Sequence, residues 1–173
     1  DAGQSITAGG TITLTVEDSL VLNPTGTLKA SKAIQIVGDP DGKDVAGANI
    51  LLQGTWSAPS LSIITGSGND TIGIAKAPTN STVSIQTNNG DDTVNFGSQV
   101  TASTNTGGVL TPLAFTTLNL DMGTGVDQLT VDASGATADL TGTVNTSSIS
   151  GLGLAGILNY LAVELLELAL GTG

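Results

Sequence analysis

Apolar and polar residues alternate with a period of two in short runs along this chain, and Gly, Asn and Asp separate the runs. Ile12-Thr-Leu-Thr-Val16, Ile34-Gln-Ile36, Leu61-Ser-Ile63, Val83-Ser-Ile85 and Leu118-Asn-Leu120 each put an apolar side chain at every second position. That is the pattern of a strand with one face turned to a core. The intervening Gly, Asn and Asp tolerate the positive φ that a sharp corner requires.

Four stretches superpose without a gap: Leu61-Ser-Ile-Ile-Thr-Gly-Ser-Gly68, Val83-Ser-Ile-Gln-Thr-Asn-Asn-Gly90, Leu118-Asn-Leu-Asp-Met-Gly-Thr-Gly125 and Leu166-Glu-Leu-Ala-Leu-Gly-Thr-Gly173. The first three run on into Asn69-Asp70-Thr-Ile72-Gly-Ile74, Asp91-Asp92-Thr-Val94-Asn-Phe96 and Val126-Asp127-Gln-Leu129-Thr-Val131. The repeated unit is therefore strand, Gly-rich turn with Asp, strand. With Ile12 and Ile34 upstream, the first apolar positions fall 22, 27, 22, 35 and 48 residues apart. Spacings of 22 to 27 fit one coil of a stacked repeat. The value 48 fits two coils of about 24, and 35 calls for an inserted loop, assigned to residues 101–112.

One such repeat cannot cover its own apolar row, but the next can, with backbone hydrogen bonds running from coil to coil. The expected fold is all-β: residues 1–173 as a single β-solenoid segment with coils of about 22–27 residues. About seven coils would make a rod of roughly 35 Å. The inward positions are Ile34, Ile36, Leu61, Ile63, Ile72, Ile74, Val83, Ile85, Val94, Phe96, Leu118, Leu120, Leu129 and Val131. Residues 152–170 carry a conflict. Leu154, Ile157, Leu158, Leu161, Leu165 and Leu168 fall at helical spacing among good helix formers. The match of Leu166–Gly173 to Leu118–Gly125 says strand, and strand is the expectation adopted.

Composition narrows the chemistry. The 173 residues include 24 Gly, no Cys and no His, with 4 Lys+Arg against 15 Asp+Glu for a formal charge of −11. Imidazole and thiol catalysis and nitrogen or sulfur metal sites are excluded, so only oxygen chemistry remains. A strongly negative chain repels phosphate backbones, so no nucleic-acid partner is expected. No run of 18 apolar residues exists, so no membrane insertion is expected either. Charged residues make up 11% of the chain and hydrophobic ones 39%, a balance opposite to that of disordered segments. The chain starts at Asp1 without a leader and stops in Gly171-Thr-Gly173. It is expected to be part of something longer, a protein or a filament, with no capping element at either end.

Gly66-Ser-Gly-Asn-Asp70-Thr-Ile72, Gly123-Thr-Gly-Val-Asp127-Gln-Leu129 and the stretch Ile34-Gln-Ile-Val-Gly-Asp-Pro-Asp-Gly-Lys-Asp44, which leads to Ile50-Leu-Leu-Gln-Gly-Thr-Trp56, resemble very large repetitive exoproteins of Gram-negative bacteria. These are similar to filamentous-haemagglutinin-type and autotransporter-type adhesins. The resemblance implies a right-handed parallel β-helix, secretion to the cell surface, and a role in adhesion, matrix or filament formation. It implies no ligand.

The glycine and Asp70 turn also fits the core of the calcium-binding nonapeptide. Stacking would bring Asp70, Asp92 and Asp127 into a column, where each either accepts backbone N–H groups of its own turn or shares a calcium ion. Asp39, Asp41 and Asp44 offer three more carboxylates in a loop that reads either as a weaker calcium site or as a solvated turn. No cofactor is required, and calcium is the one candidate. Trp56 is either packing or a sugar platform, and Asp121 and Asp132 are a carboxylate pair of the kind used on glycosides. Without Arg, and with 2% aromatic residues, the chain is expected not to be an enzyme. The expected role is a structural or adhesive extracellular module that associates end to end or laterally, in contact with host or matrix glycans. A carbohydrate-binding or carbohydrate-cleaving β-helix is the alternative.

Overall fold

The alternating runs all become strands, because each is too short and too β-branched for a helix and each ends at a Gly, Asn or Asp. The structure, a computed structural model, describes residues 3–43, 45–101 and 107–172. Among these residues there is no helix, and so none long and apolar enough to cross a membrane.

The strands lie in three sheets. The smallest pairs β1 (Ser5–Ala8), β4 (Thr27–Ala30) and β7 (Thr55–Ser57). The six-stranded sheet runs β3 (Ser19–Leu22), β6 (Asn49–Leu52), β9 (Thr71–Ile74), β11 (Thr93–Phe96), β13 (Gln128–Ala133) and β17 (Leu165–Leu170), and all its pairings are parallel. The eight-stranded sheet contains β2 (Ile12–Val16), β5 (Ala33–Gly38), β8 (Ser60–Ile64), β10 (Thr82–Gln86), β12 (Thr117–Asp121) and β16 (Ile157–Leu161), also parallel. The chain visits the three sheets in the same order repeat after repeat. In the fourth and fifth repeats the smallest sheet is reduced to one parallel bridge, Ala77 to Leu113.

Register follows the sequence spacing. Ile12 faces Ile34, Ile34 faces Leu61, Leu61 faces Val83, and Val83 faces Leu118. All fourteen expected inward residues are buried, joined by Trp56, Phe115, Leu113 and Met122. The extra residues between β11 and β12 lie over the outer face of the six-stranded sheet. Gln53 Nε2 donates to Val100 O at 2.8 Å, and Gly108 N donates to Asp132 Oδ2 at 2.7 Å. Asn95, Thr130 and Asp132 on that outer face are therefore buried. The expected insertion at 101–112 belongs to this cover, and its residues 102–106 lie outside the described residues.

The C-terminal stretch is strand, as the repeats indicated, but in a different register. Leu166 pairs with Leu129, and it is Leu158 that pairs with Leu118. The match of Leu166–Gly173 to Leu118–Gly125 was thus between strands of different sheets. The long interval is not two coils either. It holds one repeat plus a hairpin, β14 (Gly142–Val144) and β15 (Ser148–Gly151), which folds back antiparallel onto β16. The six-stranded sheet accordingly holds six strands where about seven coils were expected.

The ends differ from each other. At the C-terminal end the hairpin covers β16, which corrects the expectation that neither end carries a cap. Among the described residues β17 pairs on one side only, as do β1, β2 and β3 at the other end.

Candidate functional site

The corner between the eight-stranded and six-stranded sheets concentrates the acidic residues. A dipeptide closes each of its central turns just before a strand begins: Asn69-Asp70, Asp91-Asp92 and Val126-Asp127. Register places these pairs above one another, and the two positions bond in opposite directions. At the first position, Asn69 Oδ1 accepts from Asp91 N at 3.0 Å and Asp91 Oδ1 accepts from Val126 N at 2.9 Å, so these side chains reach toward the next repeat. At the second position the side chains reach back. Ala48 N donates to Asp70 Oδ1 at 2.6 Å, Asp70 N to Asp92 Oδ1 at 2.8 Å, Asp92 N to Asp127 Oδ1 at 2.8 Å and Asp127 N to Glu164 Oε2 at 2.9 Å.

The structure does bring Asp70, Asp92 and Asp127 into a column, therefore, and each carboxylate holds the backbone N–H of the equivalent residue one repeat earlier. A carboxylate that accepts a backbone N–H makes one of the stronger uncrossed links between neighbouring turns. The Thr65 hydroxyl donates to the second oxygen of Asp70. The second oxygens of Asp92 and Asp127 are buried without a hydrogen bond among the described residues. Burial pushes the Asp92 carboxyl above its ordinary range, against the opposing pull of the Asp70 N–H. Burial raises Asp127 as well, with the neighbouring Asp92, Glu164 and Asp91 carboxylates adding to the effect.

The backbone of this corner is tight. Asn88 and Gly123 occupy the same place in successive turns with φ of 66° and 78°. A β-carbon on Gly123 would lie 1.6 Å from Asn88 O, so only glycine fits there.

Nearer the N-terminus the same corner holds a second acidic group of a different kind. Glu17, Asp39 and Asp41 each place a carboxylate oxygen within 4.8 Å of the others. Asp41 is bound by Lys43, whose Nζ lies 2.7 Å from Oδ2 and whose backbone N donates to Oδ1 at 3.1 Å. The Lys43 ammonium holds the exposed Asp41 carboxyl below its ordinary range. Asp39 is only 1% exposed, and among the described residues neither of its carboxylate oxygens has a hydrogen-bond partner. Asp44, the third residue expected in this loop, lies outside the described residues. Glu17 was not expected. The signal for it was present in the spacing, since Glu17 precedes Asp39 by the same 22 residues that separate Ile12 from Ile34.

The other candidates separate. Trp56 is buried at 2% exposure, and its Nε1 donates to Lys76 O at 2.7 Å, so it packs in the core. Asp132 accepts from Ser134 N and from Gly108 N, and Asp121 accepts from Gly123 N. Both carboxylates fasten local backbone. Tyr160 donates its hydroxyl to Asn145 O and borders an open groove with Gln86, Asn119, Asp121 and Asn159. No family model matches this chain, and no curated protein and no solved structure is significantly similar to it.

Proposed function

We propose that the chain is a structural module: a right-handed parallel β-helix that serves as a length of rod or fibre at a bacterial cell surface, in the manner of the repetitive adhesins it resembles. The observation that carries the proposal is the parallel, in-register pairing of the strands with their counterparts one repeat away in all three sheets, the β14–β15 hairpin excepted. A chain built this way presents a surface and a length. Hydroxyl and amide side chains line its outer face, as in the Thr13–Gln35 and Asn119–Asn159 contacts. Such a surface is cheap to desolvate when two rods meet side by side.

End-to-end association has its own support. Ile6 and Val21 are exposed on the first repeat, and Leu161, Leu165 and Leu170 on the last. An apolar recess of about 220 Å³ at the first end is bounded by Ile6, Leu14, Leu20 and Leu28. A second copy docked there would pair its β17 edge with β3 and bury these side chains. That contact is heterologous and propagates. Sedimentation over a concentration series is expected to show species growing in length, and Leu165→Lys is expected to stop the growth while changing stability by no more than about 0.5 kcal/mol. A single monomeric species throughout, for the unaltered chain, would sink the proposal.

The groove beside Tyr160 favours a second reading, carbohydrate binding, because an aromatic ring among amides suits a sugar ring. Glycan-array binding that is lost in Tyr160→Ala would support it.

A further inference from the structure

We propose that Glu17, Asp39 and Asp41 bind one divalent cation of the calcium class, at a site built from two successive repeats. The inference stands apart from the rod proposal and does not need it.

Asp39 carries the case. A buried carboxylate is normally paired or hydrogen-bonded, since an isolated charge out of water is costly. Elsewhere in this corner each column carboxylate accepts a backbone N–H, yet both oxygens of Asp39 lack a donor among the described residues. Among the described residues Glu17 and Asp41 bring further carboxylate oxygens within 4.8 Å of one another and of Asp39. Three carboxylates at that separation repel one another, and a cation among them removes both the repulsion and the desolvation penalty.

The donor set selects the ion. All donors are oxygens, which suits calcium with its 6 to 8 oxygen ligands and gives no hold to metals that prefer nitrogen or sulfur. Glu17 and Asp41 are exposed and Asp39 borders an open groove, so an ion has a way in and water can complete its shell. The next repeat makes room for the arrangement: a β-carbon at Gly66 would lie 2.5 Å from Asp39 Oδ2. Lys43 stands in for part of the missing charge. Among the described residues its ammonium pairs with Asp41 only, and Lys43 is 79% exposed, so a divalent ion displaces it at little cost.

Calorimetric titration of the full chain with calcium, after treatment with chelator, tests the site. The expected result is one ion per chain with Kd in the range of about 10⁻⁴–10⁻³ M that half-exposed extracellular sites show. Millimolar calcium is then expected to raise the thermal midpoint by roughly 2–4 °C. Glu17→Gln, an exposed change that does not threaten folding, should weaken binding by about tenfold or more, and Asp39→Asn should abolish it. Lys43→Met should tighten binding several-fold by removing the competing ammonium, and Asp92→Asn should leave it unchanged. Absence of binding in the unaltered chain would overturn the proposal. So would equal binding in the Glu17 and Asp39 variants, or loss of binding in the Asp92 variant with retention in Glu17→Gln.

Discussion

Two groups of carboxylates share one corner of this molecule and solve burial in opposite ways. Asp70, Asp92, Asp127 and Glu164 lie in strict register, each accepting an N–H from the repeat before. Asp39 is equally buried but receives no N–H from any described residue: it stands at the start of its turn, in the place that Gly66, Asn88 and Gly123 hold in later repeats, while the column place of its own repeat is taken by Ala48. A buried carboxylate is thus structural where the repeat spacing supplies a donor at the right height. At the start of the turn, where the following repeat offers Gly66 in place of a donor, the same chemistry is left unsatisfied and open to an ion.

The sharpest way to break the column is to disturb its backbone. Gly123→Ala would put a β-carbon 1.6 Å from Asn88 O at a residue whose φ is 78°. The expected loss is on the order of 4 kcal/mol or more, read as a collapse of the urea midpoint, because backbone cannot move aside as a side chain can. A Gly123→Ala protein of near-normal stability would mean that the turns are not stacked as described.

Next in size is removal of an acceptor. Asp92→Ala leaves Asp70 N buried without a partner and is expected to cost about 1–3 kcal/mol in chemical denaturation. Asp39→Asn in the presence of chelator makes the contrast, since it removes a charge that has no hydrogen bond to lose. Its stability should be unchanged or higher, by no more than about 1 kcal/mol. Equal destabilisation by the two changes would erase the distinction between the groups.

The smallest expected effect is a slope with pH. Asp92 and Asp127 have folded-state pKa values above the ordinary 3.8, so the folded chain holds their protons where the unfolded chain has released them. Their contribution to stability is therefore complete below 3.8 and is lost as pH rises through the elevated values. The Asp41–Lys43 pair acts in the opposite sense but is exposed and screened by solvent. Melting midpoints are expected to be higher in mildly acidic buffer than at neutral pH, and Asp92→Asn, which keeps its acceptor oxygen, should flatten the profile. A midpoint that climbs steadily toward neutral pH would contradict the assignment.

Much of this was legible in the chain. The alternation of Ile34, Ile36, Leu61 and Ile63 marked the inward rows, and the spacing of the repeats indicated which strands stack from Ile12 to Leu118. The Asp column followed from that spacing as well. Its bonding direction did not, because whether Asn69 reaches forward while Asp70 reaches back depends on how the turn orients two adjacent side chains. Glu17 was within reach of the same spacing, since it aligns with Asp39.

The C-terminal repeat marks the limit. Leu166-Glu-Leu168 and Leu118-Asn-Leu120 carry the same local pattern, and a pattern of period two identifies a strand and its buried face but not the sheet it joins. Only the folded chain decided that Leu166 belongs beside Leu129, with Leu158 beside Leu118 and the hairpin of β14 and β15 closing one sheet edge. The sequence by itself determined the strands that flank the Gly and Asp turns, the side chains of these strands that turn inward and the turns that glycine occupies, because these depend on neighbours a few residues away. The tertiary structure decided which strands meet, which edge is covered and which carboxylate lacks a donor. These depend on the height at which distant segments stack, and loops of unequal length set that height.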